Sequence, residues 1–223
     1  MNGTWILLLL ILIAALPAII VFLWFRAMLP SVTPPWFLAS LAMGIISLFA
    51  AVLVQKNLPF PSLEGLWPAF FGVFIRIALV EETSRLVSLV PLLNIRKRRR
   101  NLDKSFCAAL GFVSGLGFAM IESVFYGISD INITLLRAIT AAPLHGACSI
   151  RVSVAFFTAS KHPVNALFLF ISAVLIHGAY NLMIVSPALP SLLAVPIAIV
   201  ALFASVHFIK NTGIDDENTF SRP

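Results

Sequence analysis

The sequence contains few charged residues. Only 11% of its 223 residues are Asp, Glu, Lys or Arg, whereas 60% are hydrophobic. Soluble domains carry roughly 25% charged residues, so this composition excludes a soluble globular protein. A chain of this length has room for about six or seven helices of roughly 20 apolar residues each, and for no added soluble domain. We expect one all-α, membrane-embedded domain over residues 1–223.

Cysteine is also scarce. Cys107 and Cys148 both lie in apolar stretches, where a free thiol behaves as a small hydrophobic group, so no disulfide framework is indicated. The formal net charge of +6 would suggest nucleic-acid binding in a soluble protein, but five basic residues form one run at 96–100. In a membrane protein such a run fixes the orientation, and we predict no nucleic-acid partner.

Apolar runs predict a polytopic bundle of about seven transmembrane helices. The third run begins Leu66-Trp67-Pro68, so 61–74 can instead form an interfacial segment before the span. The predicted spans cover residues 4–25, 36–54, 66–92, 105–127, 137–160, 164–184 and 190–209.

Basic residues are distributed unevenly between the two sides that these spans define. Ten of the fifteen lie on one side, and only Lys56 and Arg137 lie on the other. The positive-inside rule then places the N-terminus outside and the tail 210–223 in the cytoplasm. We expect a multi-pass protein, in the plasma membrane if the source is prokaryotic, with anionic lipid bound at Arg96–Lys104. Three arginines fall inside spans: Arg76, Arg85 and Arg151.

Ionisable side chains within the spans are concentrated at one depth. Each costs at least about 2.5–3.5 kcal/mol at the bilayer centre, so each needs a partner or a function. Counted from the predicted cytoplasmic ends, they lie roughly 15 to 25 Å deep in a core about 30 Å thick, as expected of one shared site. The acids and imidazoles at this depth are Glu82, Glu122, His145 and His177, in the third to sixth spans.

Helical spacing indicates which of these side chains interact. Arg85 follows Glu81 and Glu82 by four and three residues, so its guanidinium can reach either carboxylate. The adjacent glutamates point about 100° apart, which predicts different roles. Pairs at i,i+4 in which a hydroxyl or amide can orient an imidazole are His145 with Ser149 and His177 with Asn181.

Two patterns in the fourth and fifth spans concern packing. Gly111, Gly115, Phe118 and Glu122 lie on one stripe, and the glycine pair has the spacing that lets helices approach closely. Glu122 therefore faces a neighbouring helix rather than lipid. Pro143 lacks an N–H donor, so we expect it to bend the fifth span.

These motifs resemble those of the PrsW family of intramembrane proteases, related to the CAAX- and bacteriocin-processing membrane proteases. The resemblance covers roughly residues 70–185 and implies an endopeptidase that cleaves a membrane-anchored protein or peptide, for example an anti-sigma factor. The chain has Arg85 where the family typically has Lys, and Ser123 where it has Asn. The matching motifs are Glu81-Glu82-x-x-Arg85, Phe118-x-x-x-Glu122, His145-x-x-x-Ser149 and the later His177.

Peptide hydrolysis needs an activated water, a group that stabilises the oxyanion and an acid for the leaving amine. We predict that Glu81 or Glu82 activates the water and that Arg85 holds the other glutamate ionised. The two histidines would stabilise the oxyanion or relay the proton. The predicted catalytic set is Glu81, Glu82, Arg85, Glu122, His145 and His177, with Phe118, Ser149 and Asn181 as supporting or substrate-contacting residues.

Three alternatives remain open. The chain has no His-Glu-x-x-His motif and nothing in the spacing requires a metal, so a cofactor-free mechanism is favoured. Zinc is the alternative, because two histidines with one or two of the acids would leave an open catalytic position. Buried Glu and His also occur in proton-coupled transporters, and an inactive membrane scaffold would tolerate changes at the acids. The zinc ligands would be Glu82, Glu122, His145 and His177.

Overall fold

The chain forms a bundle of helices. The computed structural model describes residues 3–59, 65–99, 102–186, 189, 191–204 and 207. Within these residues all regular elements are helical, which confirms the predicted all-α class; the predicted tail 210–223 lies outside them. The elements are α1 (Gly3–Met28), α2 (Pro34–Asn57), α3 (Leu66–Phe71), a π-helical segment (Gly72–Leu79), α4 (Val80–Arg99), α5 (Lys104–Gly127), α6 (Ile131–Ile139), α7 (Ala141–Thr158), α8 (Pro163–Val185), a 3₁₀ turn (Ser191–Leu193) and α9 (Ala194–Ala204).

Among the described residues, four helices are long and apolar enough to cross a membrane: α1, α2, α5 and α8. A fifth candidate arises if α6 and α7 are one broken span, since they meet at a bend of 42°. These helices coincide with five of the seven predicted spans. The run predicted as the third span is divided between α3, the π-helical segment and α4, and the run predicted as the seventh contains the short α9. The number of seven spans and their orientation stay predictions.

The bend between α6 and α7 lies beside Pro143, as the sequence predicts. Proline has no N–H to donate four residues back, and its ring clashes with the carbonyl there, so the helix breaks at Thr140. The Thr140 hydroxyl donates to the carbonyl of Leu136 at 2.8 Å and lies 3.0 Å from the Tyr180 hydroxyl of α8. The Thr140 side chain therefore connects the break to the last turn of α6 and to α8.

Helix α5 is central to the bundle, and most of its residues are buried. It begins at Asp103, whose carboxylate accepts the backbone N–H of Phe106 at 2.6 Å as an N-cap. Its face toward α7 is the glycine pair: a Cβ on Gly115 would overlap the backbone of His145, and one on Gly111 would overlap α7 near Ser153. This close approach confirms the predicted packing and places the histidine directly against α5.

Candidate active site

The six residues predicted to be catalytic meet in one buried network between α4, α5, α7 and α8. Their side chains are between 0% and 16% exposed. The two imidazole rings lie edge to face with centroids 4.8 Å apart, at the centre of the network. Its members are Glu81, Glu82 and Arg85 on α4, Glu122 on α5, His145 on α7 and His177 on α8.

Arg85 is the hub of this network. Its Nη1 donates to the Glu82 carboxylate, 2.8 Å from Oε1 and 3.0 Å from Oε2, and to the Ser149 hydroxyl at 3.2 Å. Its Nη2 lies 2.9 Å from Nδ1 of His145, and its guanidinium carbon lies 4.3 Å from the Phe118 ring centroid. A buried charge is tolerated when it is paired and hydrogen-bonded in this way. Ser149 thus binds the arginine, where the sequence suggested that it orients an imidazole.

His145 has both ring nitrogens engaged. A guanidinium only donates hydrogen bonds, so Nδ1 of His145 accepts from Arg85. The ring proton of the neutral imidazole therefore lies on Nε2, which is 2.9 Å from Oε2 of Glu122 and donates to it. The Phe118 ring, with its centroid 5.1 Å from that of the imidazole, packs beside this histidine.

His177 has only one engaged nitrogen. Its Nδ1 lies 2.7 Å from Oε1 of Glu82, and because a carboxylate accepts, Nδ1 carries the proton and Nε2 carries the lone pair. Nε2 lies 3.5 Å from Oε2 of Glu81. Within the described residues, both of these buried atoms lack a hydrogen-bond partner. Two acceptors thus face each other at the centre of the site.

Two further residues contact the acids and were not selected from the sequence. Gln55, at the end of α2, donates through Nε2 to Oε1 of Glu81 at 3.2 Å. Arg137, on α6, donates through Nη2 to Oε2 of Glu122 at 2.5 Å. Gln55 directly follows the second predicted span, and Arg137 is counted in the sequence among the basic residues of the non-cytoplasmic side. One feature of the sequence could have indicated this arginine: it is a cation within an apolar, otherwise uncharged segment.

Other predicted residues have simpler surroundings. Arg76 donates to the backbone carbonyl of Gln55 at 2.7 Å, at the C-terminal end of α2, and thereby supports the helix end that carries this glutamine. Arg151 donates to the carbonyl of Ala147 on its own helix at 3.0 Å. The Asn181 side chain has no hydrogen bond to the residues that the structure describes, so its predicted role in orienting an imidazole has no contact to support it.

Glu81, His145 and His177 form a candidate metal site, because each places one ligand atom within 4.8 Å of the others. Two of these donors fit an ion: Oε2 of Glu81 and Nε2 of His177 are buried and without a hydrogen-bond partner in the described part of the chain. The third does not, because Arg85 and Glu122 occupy both nitrogens of His145. The observed arrangement therefore does not fit a zinc ion held by three protein ligands, the usual number in catalytic sites.

The comparisons with known proteins assign the chain to a family. The family model described as PrsW family intramembrane metalloprotease matches residues 32–208, and so spans every residue of the network. No curated protein and no solved structure matches the chain. The match extends beyond the stretch of 70–185 in which the sequence motifs lie and covers most of the chain. The chain is an integral membrane protein with the helical architecture described above, and it belongs to the PrsW family of intramembrane proteases.

Proposed function

We propose that this protein is an intramembrane endopeptidase in which a water molecule, activated between Glu81 and His177, attacks a peptide bond of a membrane-anchored protein or peptide. The observation that carries the proposal is the pair of buried acceptors, Oε2 of Glu81 and Nε2 of His177, 3.5 Å apart. A water molecule has two O–H donors, and one can be given to each acceptor. We call Glu81 and His177 the water pair.

The reaction follows from these contacts. Oε2 of Glu81 takes a proton from the water as its oxygen bonds to the carbonyl carbon, and Nε2 of His177 orients the water by accepting its other O–H. Collapse of the tetrahedral intermediate breaks the C–N bond, and Glu81 returns the proton to the leaving nitrogen. One nitrogen of His145 lies within 4.8 Å of both members of the water pair, but its single N–H is donated to Glu122, so this histidine supports the site through Arg85 and Glu122 and does not donate to the oxyanion.

Glu82 and Arg85 prepare the water pair without touching the water. Glu82 accepts from Nδ1 of His177 at 2.7 Å, which fixes the tautomer that leaves Nε2 as an acceptor. Arg85 donates to Glu82 at 2.8 Å and keeps it ionised. An arginine retains its charge at all relevant pH values, so the replacement of the family's usual lysine suits a fixed counter-ion and excludes a neutral amine at this position.

The finer membrane arrangement is part of the same proposal. We propose seven spans with the N-terminus outside, the tail 210–223 in the cytoplasm and anionic lipid at Arg96–Lys104, in the plasma membrane if the source is prokaryotic. The short connections leave little surface for recognition, so the substrate's own transmembrane or juxtamembrane segment would select it. Part of the basic segment has an internal role, since the Arg96 guanidinium lies 4.3 Å from the Phe106 ring centroid.

The experiment that tests the function is cleavage of a single-span reporter by protein purified in detergent. We expect wild type to cleave it and His177→Ala to lose activity by about 10²-fold to 10⁴-fold, the range for general acid–base groups. The matched control is Asp130→Asn, which removes an acid outside the network and keeps an N-cap on α6. Cleavage that is equal in wild type and His177→Ala contradicts the assignment. Proton flux into proteoliposomes without any cleavage would indicate a transporter instead.

A further inference from the structure

Arg137 is a half-buried cation that the proposed reaction does not use. Its side chain is 12% exposed and lies against Glu122, with Nη2 2.5 Å from Oε2. Its Nε donates to the Ser123 hydroxyl at 3.3 Å, and its guanidinium carbon lies 4.4 Å from the Tyr126 ring centroid. The guanidinium therefore contacts three side chains in the last two turns of α5, and the acid is the only charged one among them.

The position of Arg137 is fixed by the docking of α6 on α5. Asp130 begins α6 as an N-cap by accepting the backbone N–H of Asn132 at 2.9 Å. One turn later, the Thr134 hydroxyl donates to the carbonyl of Ser123 at 3.1 Å, and a Cβ on Gly127 would overlap this threonine. The arginine is thus carried by a short helix that lies flush against α5, beside the last turns that bear the acid.

Oε2 of Glu122 accepts from two donors on opposite sides. One is Nη2 of Arg137 at 2.5 Å, and the other is Nε2 of His145 at 2.9 Å. A nearby guanidinium stabilises the ionised carboxylate, which can only accept. Because Glu122 accepts from Nε2, the proton of the neutral imidazole lies on Nε2, and Nδ1 accepts from Arg85. The arginine on α6 therefore acts on the imidazole through the acid.

We infer that Arg137 is a positioning residue of the active site: it holds the Glu122 carboxylate in place as the acceptor for Nε2 of His145, and thereby sets the tautomer and orientation of that imidazole. This inference rests on the proposed peptidase function. It does not require the arginine to touch the substrate or the water, so its loss lowers kcat and leaves KM nearly unchanged.

The kinetic test compares Arg137→Met with Arg137→Lys in the reporter assay. We expect the methionine variant to lose about 10-fold to 100-fold in kcat, the range for residues that orient a ligand or catalytic group from outside the first contact layer. Lysine keeps the charge without the planar fork and should recover part of the rate. The matched control is Arg151→Met, since Arg151 bonds only its own helix among the described residues and should leave kcat unchanged. Wild-type kcat in Arg137→Met overturns the inference.

A double-mutant cycle then tests the route. If Arg137 acts only through Glu122, adding Arg137→Met to Glu122→Gln lowers kcat by less than about twofold further. An undiminished loss in the Glu122→Gln background means that the arginine acts by another route, and this overturns the inference. Should Arg137→Met fail to fold, the same cycle is measured with Arg137→Lys.

A spectroscopic readout separates the failure of this inference from the failure of the proposed function. In histidine-labelled protein, ¹⁵N NMR distinguishes protonated from unprotonated ring nitrogens, and a His145→Asn variant assigns the signals. We expect protonated Nε2 and unprotonated Nδ1 in wild type and in Arg151→Met, and a changed pattern in Arg137→Met. An unchanged pattern overturns the inference even if the enzyme is active. A changed pattern in a protein that cleaves nothing supports the positioning role and contradicts the peptidase proposal.

Discussion

The site contains two Glu–His pairs, and they differ in how many hydrogen-bond donors reach them. In the water pair, Nε2 of His177 and Oε2 of Glu81 face each other at 3.5 Å and have no donor between them in the described residues. In the second pair, Nε2 of His145 donates to Glu122 at 2.9 Å, and both residues have a further cationic partner. We call His145 and Glu122 the brace pair. The same two residue types, glutamate and histidine, therefore have unsatisfied acceptors in one pair and satisfied hydrogen bonds in the other.

The difference comes from where the two guanidinium groups lie. Arg85 donates to His145 at 2.9 Å but lies 3.6 Å from Oε2 of Glu81, beyond a good hydrogen bond. Arg137 completes the brace pair from the other side at 2.5 Å. Fixed cations thus satisfy the brace pair and leave acceptors on the water pair. In a buried site, the distribution of donors distinguishes the reactive acid from the structural one more clearly than burial does.

The comparison is tested most strongly by neutralising each acid in turn. We expect Glu81→Gln to lower kcat by about 10²-fold to 10⁴-fold, because it removes the proton acceptor. Glu122→Gln should cost only about 10-fold, because the amide oxygen still accepts from His145, although Arg137 loses its counter-ion. Cleavage of the single-span reporter measures both, with Asp130→Asn as control. Losses of equal size for the two acids would remove the distinction between the pairs.

Arg85 connects the two pairs, and its removal should affect folding as well as rate. Arg85→Met leaves Glu82 as an unpaired buried charge, so we expect about 3–5 kcal/mol less stability toward unfolding. Unfolding by denaturant in detergent micelles measures this loss. Arg85→Lys keeps the charge without the fork and should lose less, and Arg151→Met serves as the control for a deleted arginine. A stability of Arg85→Met within error of wild type would contradict the paired-charge network.

Substitution of Gln55 has the smallest expected effect on kcat, and it tests whether this residue orients Glu81 in the water pair. Its Nε2 donates to Oε1 of Glu81 at 3.2 Å, which leaves Oε2 directed at His177. A single hydrogen bond contributes about 0.5–1.5 kcal/mol, so Gln55→Leu should lower kcat by about twofold to tenfold. The control is Asn57→Leu, because Asn57 bonds only its own helix among the described residues, at 2.8 Å. Equal kinetics for the two variants would argue that Gln55 does not orient the acid.

Much of the site follows from the sequence because intramembrane charge is costly and helical spacing is regular. The depth agreement of Glu82, Glu122, His145 and His177 correctly predicts one cluster, and the i,i+3 spacing correctly pairs Glu82 with Arg85. The close approach of α5 and α7 follows from Gly111 and Gly115 in the same way. These features depend on local periodicity, which a single sequence contains.

The remaining features depend on tertiary placement. The sequence indicates only that Arg137 lies on the non-cytoplasmic side, because nothing in its own segment shows that α6 folds back onto α5. Gln55 belongs to a polar span end, and only the packing of α2 against α4 brings it to Glu81. The spacing of Ser149 after His145 is compatible with an imidazole contact, but in the structure the Ser149 hydroxyl accepts a hydrogen bond from Arg85 of α4 at 3.2 Å. Partners across helices are not encoded in the spacing along one helix.

The central claim is that the water pair works without a resident metal, and one measurement addresses it directly: zinc content and reporter cleavage determined on the same chelator-treated sample. Because Arg85 and Glu122 hold both nitrogens of His145, we predict the full wild-type rate at far less than one zinc per chain. A rate that falls in proportion to the zinc removed, and returns when zinc is added back, would contradict the account and establish the Glu81, His145 and His177 cluster as a metal centre.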